Sequence, residues 1–403
     1  MSEPHLQPRF VLLDHQSATP MLPEVLAAMQ PFFGEDFGSP SSLHRLGLRA
    51  RDALDTARER VAAFINAASP EEILFTSDGT ESANLAVKGT AWASARRGNH
   101  IVVSATEHPA VLESVAFLES HGFTATRVRT DAEGLVGADA VRVAITEKTA
   151  LVAVHHANHD IGTVEPIAEI GRVTADAGVP LFVDAEASAG WLALDVQAMG
   201  ASLLSFSPHR FGGPKGVGVL YRNRRTKLAS LIHGGAQEGG LRAGIENVAA
   251  IVGAGVACEL ASKQLASRAA NATRLQRKLW EGVKATVQHV KLNGPVPCAR
   301  RLPSNLNFSV EFTEGEGLML LLDLQGVAVA SGTICASKEL KISPVLQAIG
   351  LEHALAQAAL IVSFGPSSSD ADVDRFIEVF PGVVAKLRAM SPQWEEFGRG
   401  SRR

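Results

Sequence analysis

The chain has 403 residues but only three cysteines, Cys258, Cys298 and Cys335, which are odd in number, far apart and without C-x-x-C spacing. That excludes a disulfide framework and a cysteine-based zinc cluster, and it fits a reducing cytoplasm. Long apolar runs are missing too: no segment reaches about 18 uninterrupted apolar residues. The first residues, MSEPHLQPRFVLLDHQ, lack a basic stretch leading into an apolar one. The expectation is a soluble, unexported, cytoplasmic protein with no membrane partner. Excess charge is also absent. A net charge of −4 gives no whole-molecule field that would attract nucleic acid or an anionic membrane, although local sites for phosphate-bearing small ligands stay open. There is no internal repeat and no low-complexity segment, apart from the basic tail GRGSRR.

What is present is an apolar fraction of 46%, enough for a well-packed globular protein, in a chain longer than one core usually serves. From Glu72 to about Tyr221, short apolar runs alternate with helical stretches: ILFTS, HIVVSA, ALVAVHHA, PLFVDAE, SLLSFS and GVGVLY. Such runs read as strands buried on both faces of a mostly parallel sheet with crossover helices, an α/β fold. Their C-terminal ends carry the polar residues, and open α/β sheets bind ligands at that edge. Leu43 to Ala67 and Asn247 to Val287 have helical spacing, the latter with Gly253 and Gly255 inside it. NLNFSVEF, the helical GEGLMLLLDL, VAVAS and helices around 344–349 and 370–388 form a second alternating set. The division is a large domain over 17–258 and a smaller α/β domain made of 1–16 and 259–403, carrying the Cys335 loop.

Several segments carry chemistry. TSDGTES (76–82) joins a strand to a helix, so the amides around Asp78, Gly79 and Thr80 form either a capped turn or a phosphate cradle. Asp184, ending the strand of FVDAEAS, is a structural cap, an ion-pair partner, or a carboxylate that holds a pyridinium nitrogen protonated. His108 in TEHPAVLES sits where a strand meets a helix and suits capping as well as catalysis. Ser207 and His209 lie in the glycine-rich connection SFSPHRFGGPKGVGVLY. A second glycine-rich loop, HGGAQEGGLRAG, makes Arg242 available to an anion.

With LDHQSATP, FGSPSSLHRLG, VHHANHDIGTVEPI and SGTICAS, these segments in this order resemble the cysteine desulfurases of the class V aminotransferase family nearly end to end. The resemblance implies the fold of type I pyridoxal-phosphate transferases and a dimer with sites near the subunit interface. It also implies a reaction that strips sulfur from cysteine, leaving alanine and an enzyme persulfide. By resemblance, Thr80, Ser207 and His209 contact the cofactor phosphate, His108 stacks on its ring, Asp184 pairs with the ring nitrogen and Cys335 collects the sulfur.

The departures from the family pattern concentrate on ligand contacts. The Schiff-base lysine is replaced by Arg210, whose guanidinium stays charged and cannot lose the proton that imine formation requires. Lys215 is a second lysine of the family pattern and does not replace the missing one. His159 stands where an asparagine flanks the cofactor, Ala187 where a glutamine does, and Ile245 where a threonine reaches the phosphate from the neighbouring subunit. Ile361 replaces the arginine that clamps the substrate carboxylate, a loss of about 2–5 kcal/mol for a buried carboxylate.

Three readings follow. The first is a desulfurase-like protein that has lost Schiff-base catalysis and handles sulfur on Cys335. It would serve as a persulfide relay, in iron–sulfur assembly with an acceptor or scaffold protein, or as a non-catalytic subunit, as a homodimer or a heterodimer with an active paralogue. The second is an active enzyme that binds pyridoxal phosphate without a covalent link. In the third, the vacated pocket holds a metal or another anion, with His108, His159 and His209 converging on Asp184. His155 and His156 add local density but alternate in direction along a strand.

Overall fold

A computed structural model describes residues 10–297, 300–331, 333–334 and 341–400. Cys298, Cys335, residues 1–9 and the end of the basic tail lie outside them. In chain order the strands are β1 (Val11–Leu12), β2 (Ile73–Thr76), β3 (His100–Ser104), β4 (Thr124–Val128), β5 (Thr149–His155), β6 (Leu181–Asp184), β7 (Leu203–Phe206) and β8 (Gly218–Arg222). They continue with β9 (Val290–Leu292), β10 (Asn305–Val310), β11 (Val327–Ala328), β12 (Ala330–Ser331), β13 (Thr333–Ile334), β14 (Lys341–Ile342) and β15 (Ala359–Ser363).

A seven-stranded sheet runs in the order β2-β8-β7-β6-β5-β3-β4. Only β8 is antiparallel to its neighbours; the remaining pairs are parallel. Side chains alternate along each strand, so the sheet builds two cores at once. Val102, Val152, Val154 and Val183 meet residues of the Arg45–Phe64 and Val248–Thr286 helices on one face. Ile101, Val103, Leu151 and Phe182 meet Val111, Val115 and Leu118 of the Pro109–Glu119 helix on the other. All positions of β3, β5, β6 and β7 are therefore buried, which is why each reads as an unbroken apolar run. The sequence missed β4. It is an edge strand with three exposed positions among its five, TATRV, and lacks that signature.

The Val248–Thr286 helix is long and apolar enough by composition to cross a membrane, but more than half of its most apolar stretch is buried against this protein. Its glycines are packing devices. A Cβ on Gly253 would come 2.6 Å from Met29 Sδ, and one on Gly255 would come 2.8 Å from the Cα of Ala57. The second contact is backbone, so the two helices cross at a distance only glycine permits.

The remaining strands include a four-stranded sheet, β12-β15-β10-β9, and the parallel pair β1-β11. Leu306, Phe308, Leu360, Val362, Phe376 and Phe380 share a separate core there. Residues 11–14 are tied to it: Leu13 N–H donates to Ala328 O at 2.8 Å, and Asp14 bridges to Ser363.

Candidate functional site

Parallel strands deliver their last residues to one edge, and the side chains picked out by sequence collect there. His155 ends β5 and lies in register with Asp184, which ends β6, while Asp184 is in register with Ser205 of β7. Ser207 follows β7 directly, and His108 sits in the connection after β3. There His108 caps the Pro109–Glu119 helix, its Nδ1 accepting from Ala110 N at 3.1 Å. The capping role is thus realised through Nδ1.

His108 and His159 meet edge to face with centroids 5.2 Å apart. Burial, then the neighbouring His159, lowers His108 to about 4; burial, His155 and Arg210 lower His159 to about 3. Both imidazoles are neutral at physiological pH. Asp184 is pushed up by burial, opposed by His108 and reinforced by Glu107, and its carboxylate accepts the Glu186 N–H at 2.9 Å. Asp160 beside His159 receives the Ser343 hydroxyl, and its carbonyl accepts from Asn305 and Asn307, each at 3.1 Å. These contacts lock the cleft loop onto the smaller core.

The sequence reading overlooked Glu186. Its side chain is buried and sits at the centre of the cradle that sequence assigned to phosphate. Gly79 N–H donates to Ser207 Oγ at 2.8 Å, and the Ser207 hydroxyl donates to Glu186 Oε1 at 3.1 Å. The carboxylate lies so close over Gly79 that a Cβ there would fall 1.7 Å from Oε1. Glu186 Oε2 is 3.5 Å from Arg210 Nε, and Arg210 also donates to Gln16 O at 2.6 Å. Burial, relieved by Arg210 and aggravated by Asp184, raises the Glu186 carboxyl to about 7. The available sequence signal was an acid two residues beyond a strand-end aspartate.

A second overlooked group is an acid–imidazole–acid chain. His155 Nδ1 lies 3.0 Å from Glu107 Oε1 and its Nε2 3.2 Å from Glu165 Oε1, with all three side chains buried. Burial opposes charge on His155, but the two carboxylates outweigh it and raise the imidazole to about 10. His156 points elsewhere, to Ser188 Oγ at 3.0 Å, as strand alternation requires.

Other candidates fall differently from expectation. Arg242 is engaged within the chain, its Nε donating to Glu81 Oε1 at 2.9 Å. Thr80 is exposed, as is Lys215. The histidines do not close into a metal site: among the described residues no group of three or more His, Cys, Asp or Glu is placed to hold an ion. His209 lies in the turn after β7, where burial, then Arg210 and Lys215, hold its imidazole low, at about 4. Ile245 is 69% exposed on its loop. Ile361 is buried, opposite Asn307 in the β10–β15 ladder. It shares a face with Asn307, which bonds to the Asp160 loop, while Leu360 and Val362 point into the core. An apolar side chain therefore stands where a carboxylate clamp is implied. Ala187 packs against the same core. Cys335 lies outside the described residues.

Tested against pyridoxal phosphate, the site fits in part. Asp184 and His108 suit a pyridine ring, but Arg210, at the position that the resemblance gives to the Schiff-base lysine, carries no amine, and the cradle donors Gly79 N–H and Ser207 are taken by one another and by Glu186. The phosphate end and the covalent attachment do not fit.

The family model for aminotransferase class-V matches residues 11–376. A cysteine desulfurase IscS of Clostridium botulinum is 44% identical over 387 residues, covering 96% of this chain and 97% of that protein. The cysteine desulfurase IscS of Methanosarcina thermophila is 41% identical, covering 95% and 94%. Among solved structures, a NifS-like protein superposes with a TM-score of 0.88 at 32% identity, covering 93% of this chain and 99% of that one.

Proposed function

We propose that this chain, which belongs to the aminotransferase class-V family, is a sulfur-handling protein on the cysteine desulfurase fold that does not itself run the Schiff-base reaction. The observation that carries this reading is Arg210, a permanently charged guanidinium bound to Gln16 O and paired with Glu186 where the chemistry needs a neutral amine. Sulfur would arrive from a donor persulfide. The Cys335 thiolate attacks the outer sulfur, forms a new S–S bond, and the donor cysteine leaves as its thiolate, so no oxidant is consumed. The full-length likeness to cysteine desulfurases supports a place in sulfur transfer to an acceptor or iron–sulfur scaffold. Phe33, Phe37, Leu43 and Ile245 are exposed apolar side chains that suit pairing with a second copy or with an active paralogue.

The test uses an active desulfurase carrying radiolabelled persulfide as donor. Label on Cys335 of this chain, lost in Cys335→Ser, is expected; equal labelling of the serine variant rejects the relay. A visible aldimine band after adding pyridoxal phosphate, shifted by cysteine, would reject the loss of the pyridoxal reaction.

A further inference from the structure

Ser207, Arg242 and Arg210 each already face a carboxylate of this chain. Asp78 Oδ1 accepts Glu81 N–H at 2.8 Å, and Glu81 Oε2 accepts Ser77 N–H at 2.7 Å. Glu81 also holds Arg242, with Oε1 2.9 Å from its Nε. Glu186 completes the set, accepting from Ser207, lying over Gly79 and facing Arg210. An ordinary helix start uses one capping carboxylate. Here Glu186 comes from the turn after β6 and reaches into the cradle beside the cap, and its counter-ion is Arg210, the residue that the resemblance puts in the lysine's place.

We propose that Glu186 is a resident counter-anion that fills the anion cradle and, with Arg210, excludes phosphate-bearing ligands, so that the cleft takes ligands lacking a phosphate. Two physical effects act together. The carboxylate occupies the space above Gly79 that a phosphate oxygen would need, and it uses the Ser207 hydroxyl that would bind it. Above about pH 7, where the Glu186 carboxyl is ionised, its charge also repels a dianion. Arg210 does not reverse this, because its guanidinium is shared between Glu186 and Gln16 O. On this view Arg210 and Glu186 form one substitution in two parts: the arginine removes covalent attachment and the glutamate removes the phosphate site. The inference rests on the reading above for the identity of the cleft, but not on sulfur transfer.

The test titrates inorganic phosphate, and separately pyridoxal phosphate, into the full chain by calorimetry and phosphorus NMR. Wild type, Arg210→Lys, Glu186→Ala, Glu186→Gln and the double variant Glu186→Ala with Arg210→Lys are compared, each confirmed folded by circular dichroism. Glu186→Ala is expected to bind phosphate at least about ten-fold more tightly than wild type. Glu186→Gln, which still fills the cradle without charge, should gain less and substitutes as the charge test if the alanine variant does not fold. An aldimine band with pyridoxal phosphate is expected in the double variant and not in Arg210→Lys alone. Wild type binding phosphate as tightly as Glu186→Ala overturns the proposal, as does an aldimine of equal intensity in Arg210→Lys. Failure of Cys335 labelling would remove the relay and leave the phosphate result standing.

Discussion

Arg210 donates from its guanidinium to the main-chain oxygen of Gln16 at 2.6 Å, so the residue at the cleft floor also fastens the N-terminal segment that pairs with the smaller core. Removing it leaves Glu186 buried without a cation. The Glu186 carboxyl stands near 7 in the folded chain against an ordinary 4.5. A raised carboxyl contributes stability that is complete below about 4.5 and lost as pH rises through about 7. Arg210→Ala should therefore cost about 3 kcal/mol at pH 8, where Glu186 is ionised, and clearly less at pH 5. Urea unfolding at both pH values checks this; equal losses would mean that the pair carries no charge coupling.

The Glu107–His155–Glu165 chain gives an opposite-sided test. His155 is raised from 6.5 to about 10, so its contribution is full below about 6.5 and disappears as pH rises through about 10. His155→Ala should cost about 3–5 kcal/mol at pH 6, because two buried carboxylates lose their partner. The deficit should shrink toward pH 10. Thermal melts of both proteins from pH 6 to 10 measure it, and a deficit independent of pH would assign His155 to packing alone.

The two helix glycines should respond differently to alanine. Gly255 abuts the backbone of Ala57, which cannot yield without moving the Arg45–Phe64 helix, so Gly255→Ala should cost about 1–3 kcal/mol despite its better helix propensity. At Gly253 the contacts are the flexible end of Met29 and the Pro214 ring. Gly253→Ala should come out within about 1 kcal/mol of wild type. Chemical denaturation ranks them; the reverse order would contradict the close crossing.

Ser343 bonds the Asp160 carboxylate and caps the Pro344–Ala348 helix, with Oγ accepting from Val345 N at 3.1 Å. Ser343→Ala should cost about 1–2 kcal/mol and speed amide hydrogen exchange across residues 344–348 more than in the large sheet. Uniform acceleration everywhere would show global destabilisation instead.

Cys258 is buried in the large core, and burial raises its thiol far above the usual range. It should resist alkylation in the native protein and carry no labelled sulfur, becoming reactive only in denaturant. Mass spectrometry of the modified peptide decides; native labelling of Cys258 would make it a competitor to Cys335.

The sequence by itself determined the layered α/β fold. Strands covered on both faces must be apolar throughout, and the runs ending in His155, Asp184 and Phe206 say so without further help. It also placed His108, Asp184 and Ser207 at one sheet edge, because parallel strands deliver their ends together, and it exposed Arg210 as incompatible with imine formation. The edge strand β4 was illegible because a half-exposed strand lacks that apolar run. Only tertiary structure decided what the side chains do to each other. Glu186, Glu81 and Glu165 are unremarkable acids in the sequence, and their partners Arg210, Arg242 and His155 lie 24, 161 and 10 positions away. Charge pairing acts through space and burial. The sequence could therefore show which residues depart from the family pattern, but not that Glu186 faces Arg210, that Glu81 holds Arg242 or that Glu165 meets His155.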